Sequence, residues 1–462
     1  MRRIAQKRHA YDSPKFQPLN QITEEFPMTS LFKNLFLVLF TLIFSQPVKA
    51  SEYLATFTHQ PNTQKISSLT TIRTIKTFEA FGKTYVLFEQ TAPTLHQQST
   101  LELKSLAATL GAQRIEANHS YYLVGGSKPP VDSEIPDDLS DYTPEPVIPN
   151  DPSFNKLWGL FNFGQSIQSS KGTKKKDSTT AQAWNFTQGS SEMIAGVMDS
   201  GIDYNHEDLR SNLWTETQED GSQTFGYNAF DNNHDVYDGH SHGTHVSGTI
   251  GATGNNQIGV SGINWRVKLA SVRIFNASGR TDLATIIRGL DWFHQHAEQI
   301  KVINHSWGGS NFSELLSDAF EALDRAGVIN VFAAGNDSSH LDYGKEGAQF
   351  YPAMYDLENS IIVASHDNKG KRSGFSNYGA KVVHLAAPGS GIYSTVPGGY
   401  AYKSGTSMAA PHVTGAVTLL WSYHPDWDAK AIKRTILEKA TPWSSLEGVS
   451  IDAKALNLHN LF

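Results

Sequence analysis

The run MIAGVMDSGID, residues 193–203, decides the fold. Met193 to Met198 is apolar at every position, so a strand built from it is covered on both faces, as in a parallel sheet between helices. Asp199 follows directly. Four more apolar runs rich in β-branched residues recur downstream: KLASVRIF (268–275), KVINHS (301–306), VINVFAAG (328–335) and SIIVAS (360–365). Amphipathic helices stand between them. Leu283, Ile286, Ile287, Leu290 and Phe293 share one helical face; Leu315, Leu316, Ala319, Phe320 and Leu323 share another, closed by Gly327. The alternation predicts an α/β fold, a mostly parallel central sheet with helices on both faces and right-handed crossovers. Chemistry in such a sheet sits beyond the carboxyl ends of its strands.

Upstream, the character changes. Residues 125–152, GGSKPPVDSEIPDDLSDYTPEPVIPNDP, are dense in Pro, Asp and Ser and read as an exposed linker open to proteolysis. Before it, residues 51–125 form a small α+β unit. EYLATF, KTYVLFEQ and SYYLVG are its expected strands, and TLELKSLAATLGA (100–112) its helix, ending at Gly111. Residues 28–50 carry one basic residue (Lys33), an apolar run from Leu35 to Phe44 and the small-residue end Val48-Lys49-Ala50. The run is too short to span a bilayer and fits a signal peptide cut after Ala50. Residues 1–27 are polar and fit no part of it, so translation is expected to begin at Met28.

Composition closes off other classes. The 462 residues carry a net charge of −7, and Lys174 to Lys176 is the only notable basic run, so there is no footprint for nucleic acid. That run reads as a solvated loop. There are no cysteines, which excludes disulfides, thiolate metal sites and a cysteine nucleophile.

Three stretches place reactive side chains at element ends. IAGVMDSGID puts Asp199 after a strand, HSHGTHVSGTIGA puts His242 at the head of a small-residue helix, and KSGTSMAAPHVTGAVTLL puts Ser407 at the start of an apolar helix. A serine hydroxyl needs a base to become a nucleophile, and the base needs a group that fixes its tautomer and stabilises its charge. A helix N-terminus also places backbone N–H donors where an oxyanion would develop.

With their flanks, Asp199-Ser200-Gly201, His242-Gly243-Thr244-His245 and Gly405-Thr406-Ser407-Met408-Ala409-Ala410-Pro411 resemble the active-site signatures of the subtilisin family of serine proteases, the subtilases. The resemblance runs from about Asp151 to the C-terminus. It implies that Asp199 orients, His242 is general base and then acid, and Ser407 is the nucleophile. FAAGND places Asn336 where the family has its oxyanion asparagine, and NHSWGG places Ser306, Trp307 and Gly308 at the family's substrate edge, where an extended polypeptide adds as a strand. Met408 follows the nucleophile, so its oxidation should slow the enzyme.

The resemblance has two further implications. Thermitase-type relatives build a calcium site whose counterparts here are the side chains of Asp151, Asp208 and Asn256 with the carbonyls of Thr253, Ile258 and Val260; a structural Ca²⁺ is expected. Residues 51–125, most visibly AQRIEANHSYYLV, resemble an inhibitor-like propeptide, with maturation cleavage in the linker at 126–150 and the peptidase domain from 151 to 462. The expected product is a monomeric endopeptidase, secreted or periplasmic, held inactive by its own propeptide. One alternative is an inactive peptide-binding relative. The other is a zinc hydrolase using His240, His242 and His245; the subtilase resemblance gives His240 and His234 no role, implies that His245 is buried and structural, and has glycine where Ser241 stands.

Overall fold

The computed structural model describes residues 51–61, 66, 69, 72–90, 100–123, 133–343 and 347–462. The expected start at Met28 and the signal peptide at 28–50 lie outside the described residues.

The first unit is a four-stranded antiparallel sheet with one helix. Its elements are β1 (Ser51–Phe57), β2 (Ile72–Ala80), β3 (Lys83–Gln90), α1 (Thr100–Leu110) and β4 (Arg114–Ala117), in the spatial order β2-β3-β1-β4. Alternation along β1 buries both faces: Tyr53, Ala55 and Phe57 pack with α1, and Leu54 packs with the second unit. The expected strands lacked β2 and β4. Only Ile72 and Ala80 of β2 are buried, and β4 is four residues long, so neither has a strong apolar signature.

The expected strand SYYL forms as β5 (Ser120–Leu123) but leaves this sheet. The linker also needs correction. Residues 133–150 are irregular, as their composition implies, yet docked: Tyr142 is buried and donates through its hydroxyl to the Asn162 carbonyl, and Val147 N–H donates to the Ala181 carbonyl. The basic run is likewise not simply solvated, since Lys176 Nζ lies 4.0 Å over the Trp443 ring.

The second unit is built on nine strands. In chain order its strands and flanking pieces are β6 (Gly189–Asp199), β7 (Gly226–Asn228), α2 (His242–Gly251), β8 (Arg266–Arg273), β9 (Arg280–Asp282), α3 (Leu283–Gln295), β10 (Ile300–His305), β11 (Trp307–Gly308), α4 (Glu314–Arg325), β12 (Ile329–Ala333), β13 (Ser360–His366), β14 (Leu385–Pro388), β15 (Ile392–Val396), β16 (Gly399–Lys403), α5 (Thr406–Tyr423), β17 (Thr441–Pro442) and β18 (Lys454–Ala455). The sheet order is β7-β8-β6-β10-β12-β13-β14-β18-β17, parallel except for the final β18–β17 pair. Ala195 and Val197 of β6 face the core shared with α2 and α5, while Ile194 and Met198 face the core with α3 and α4. All five expected strands and both expected helices are present. No helix of the described residues is long and apolar enough to cross a membrane.

Candidate active site

Strands β6 and β10 are parallel neighbours with Met198 opposite His305, so Asp199 and Ser306 lie at adjacent carboxyl ends. His242 opens α2 and its Nδ1 sits 2.8 and 3.0 Å from the two Asp199 carboxylate oxygens, both residues being buried. Helix α2 can come this close because Gly243 has no side chain: a Cβ there would lie 2.2 Å from the Gly201 carbonyl. A second carboxylate, overlooked in the sequence, holds this junction. Asp238 Oδ1 accepts from Ser200 Oγ (2.8 Å) and from the N–H groups of His240 (2.9 Å) and Ser241 (2.8 Å), and its Oδ2 accepts from Thr244 N–H (2.9 Å) and Oγ1 (2.6 Å). Ser200 Oγ in turn accepts from Gly243 N–H at 2.9 Å. The Asp199 turn and the start of α2 are thus tied together through one buried anion at a helix N-terminus.

Ser407 lies in the first turn of α5. Pro411, four residues on, has no N–H to give its carbonyl, and Ser306 Oγ donates to that carbonyl instead at 2.9 Å. The Ser407 hydroxyl donates to the Ser306 carbonyl at 3.0 Å, and the buried His242 Nε2 has no hydrogen-bond partner among the described residues. Asn336 follows β12 through Gly335, whose φ of +100° and crowding against the Asn377 amide admit only glycine. Asn336 Oδ1 accepts from Thr406 N–H (2.9 Å) and Oγ1 (2.8 Å), which commits the oxygen and leaves the Nδ2 hydrogens to be donated. Thr406, within the recognised motif but given no role there, is therefore the residue that aims the amide.

The edge expected to bind substrate is already paired. Leu123 lies opposite Trp307 and Tyr122 opposite Gly308 in the antiparallel β5–β11 ladder, and β9 pairs with β5 on its other side. Tyr121 is buried, its ring edge-on to Trp307 at 5.9 Å. Below β5 the first unit grips both helices. The Glu116 carboxylate accepts from Ser313 Oγ (2.6 Å) and Leu315 N–H (3.2 Å), and Asn118 Oδ1 accepts from Ala284 N–H (3.2 Å).

The family-level comparison matches residues 190–458, more than half of the chain, to the Subtilase family. The chain belongs to the subtilases. It is 36% identical to thermitase of Thermoactinomyces vulgaris over 276 residues, covering 59% of this chain and 85% of thermitase. It is 37% identical to subtilisin E of Bacillus subtilis (strain 168) over 252 residues, 54% of this chain; the match spans only 61% of subtilisin E. Fervidolysin of Fervidobacterium pennivorans, a keratinolytic enzyme related to subtilisin, shares the fold with a TM-score of 0.67 at 24% identity, over 90% of this chain and 61% of that one.

The remaining histidines of this subtilase have separate environments. His245 Nε2 is 3.0 Å from the Ile392 carbonyl and 3.1 Å from that of Ala401, and burial, reinforced by the charge of Lys403, pushes its pKa down to about 3. It is a neutral strut between α2 and the β15–β16 hairpin. His240 is half-buried beside Gly279, and His234 is exposed. Among the described residues no group of three or more His, Asp or Glu side chains is placed to hold a metal, and the His240/His242/His245 set of the zinc reading is not brought together as one. Met408 is fully buried.

The calcium residues do converge. Asp151 accepts from Asn255 N–H (2.8 Å) and Asn256 N–H (3.2 Å); Asp208 accepts from Asn256 Nδ2 (2.8 Å) and Val260 N–H (2.8 Å); Thr253 N–H donates to the Asp208 carbonyl, and Ile258 N–H to Asn256 Oδ1. Both carboxylates are buried, and among the described residues neither is ion-paired to a Lys or Arg side chain. Burial raises the pKa of Asp151 and, with the Asp151 charge adding to it, lifts that of Asp208 to about 6. Two buried carboxylates joined to the Asn256 amide in one network are oxygen donors of the kind a hard divalent cation takes.

Proposed function

We propose that this subtilase is a serine endopeptidase that cleaves extended polypeptides through an acyl-enzyme. The observation that carries the reading is that the Asp199–His242 pair and Ser306, whose carbonyl accepts from the Ser407 hydroxyl, lie at adjacent strand ends, beside an edge that already takes an extended strand. The Ser407 hydroxyl turns from the Ser306 carbonyl to His242 Nε2, the acceptor without a partner, and gives it a proton while attacking the peptide carbonyl. Asp199 holds the Nδ1–H tautomer and stabilises the imidazolium. Ser407 N–H and Asn336 Nδ2 receive the oxyanion. His242 then protonates the departing amine, and water repeats the sequence on the acyl group.

Residues 51–125 act in this account as an inhibitor-like propeptide, with β5 in the position of a substrate strand. Maturation cuts the chain in the linker at 126–150. Ca²⁺ would be held by Asp151, Asp208 and Asn256 with the carbonyls of Thr253, Ile258 and Val260, and would supply the positive charge that joins three separate chain segments. Residues 28–50 direct export. Incubating the protein with a denatured protein tests the reading: the wild type should cut it and lose residues 51–125, and Ser407→Ala should do neither. Cutting by both equally would overturn the proposal.

A further inference from the structure

The acyl side of the cleft is fixed by β5, which runs antiparallel to β11 and leads from Ser120 toward Ser306, the partner of Ser407. A substrate continuing past Ser407 leaves this sheet. A second cleft lies next to His242, between the loop before α2 (Tyr237, Asp238, His240, Ser241) and the β15–β16 hairpin (Val396, Pro397, Lys403), with no lining residue from β5, β9 or β11. Its chemistry is set by Lys403. This ammonium crosses the cleft to donate to Ser241 Oγ at 3.0 Å, a neutral partner. Burial lowers its pKa, and the carboxylates whose charge reaches it, Asp238 and Asp199, are already committed to five donors and to His242. Ser241 reaches up from a left-handed backbone, φ +80°, at the residue before His242. Of the other ionisable groups lining the cleft, Asp238 is buried with both oxygens taken by the donors named above, Tyr237 is neutral, and His240 is kept toward its neutral form by burial and by the charge of His242. A cation with one neutral partner, partly desolvated beside the base that protonates the leaving amine, is a receptor for a carboxylate.

We propose that Lys403 makes this subtilase select substrates with a Glu or Asp side chain just after the scissile bond. The inference rests on the peptide-bond hydrolysis proposed above. The acidic side chain replaces Ser241 Oγ as the partner of Lys403 and is held on the leaving-group side, where the amine departs.

The test uses the matured protein and two quenched fluorescent peptides that differ only in Glu or Lys at the first position after the cut. The wild type should show a kcat/KM ratio of about five- to tenfold in favour of Glu at low salt, shrinking as ionic strength rises. Lys403→Met should bring the ratio near one, and Lys403→Glu should reverse it. A wild-type ratio of one, or a preference for Glu that survives in Lys403→Met, would overturn the inference. The salt dependence of the wild-type ratio decides the matter even if a variant fails to fold. Failure to cut either peptide in a Ser407-dependent way would instead count against the hydrolytic reading itself.

Discussion

Two pairs of buried carboxylates divide the second unit. Asp199 and Asp238 sit at the catalytic edge, and every oxygen is met by a donor from the chain: an imidazole, backbone N–H groups of α2 and serine or threonine hydroxyls. Asp151 and Asp208 sit in the outer loops, met by amide donors and the Tyr400 hydroxyl, and repel each other, and their pKa values are raised. A buried anion can be stabilised by preorganised dipoles or by a counter-charge. The first pair is held by preorganised dipoles, at the place where a proton is to move. The second pair is unfinished by the protein alone, which is the physical case for a cation there.

The comparison breaks most sharply at Asp199. Asp199→Asn keeps the shape but offers His242 the wrong tautomer, and kcat should fall by roughly 10⁴-fold with little change in thermal midpoint. A loss under tenfold, measured with a saturating peptide substrate, would mean that Asp199 does not orient the base. Asp238→Asn is the next largest effect. It puts an amide N–H where five donors converge, so the start of α2 should loosen. We expect a loss of about 10- to 100-fold in kcat and a destabilisation of about 2 kcal/mol, read by peptide hydrolysis and denaturant unfolding. Unchanged kcat in a destabilised protein would assign Asp238 to stability only.

The outer pair responds to pH in the opposite sense from an ordinary salt-bridged carboxylate. Its folded pKa values lie above the unfolded ones, so without a cation the stability linked to these groups is fully present below about pH 4 and is lost as pH rises through about 6. A cation takes the place of the protons. Chelation should therefore lower the thermal midpoint by several degrees at pH 8 and by clearly less at pH 5. An equal drop at both pH values would sever the link to Asp151 and Asp208.

Much of this was legible because it is local. The strands from Met193 to Ser365 are continuous apolar runs, the two helices keep one apolar face each, and the three catalytic motifs each lie within a single turn of chain. What escaped depends on distant pairing. The sequence of β5 marks it as a strand but not as the partner of β11, about 180 residues on in the chain. Tyr142 in a proline-rich run gives no sign that it will be buried beneath Asn162, and Asp238 acquires its role only when Ser200 and Thr244 are folded against it. The bond between Ser407 and Ser306 is likewise a product of neighbouring strand ends, visible only once β10 and α5 are in place.

The central claim is that Ser407 alone is activated at this edge. Its most direct test is to label the matured protein with a fluorophosphonate and locate the adduct by peptide mass spectrometry. One adduct on Ser407, abolished in Ser407→Ala and strongly slowed in Asp199→Asn, is the predicted result. A matured protein that stays unlabelled at Ser407 while still cutting polypeptides would contradict it.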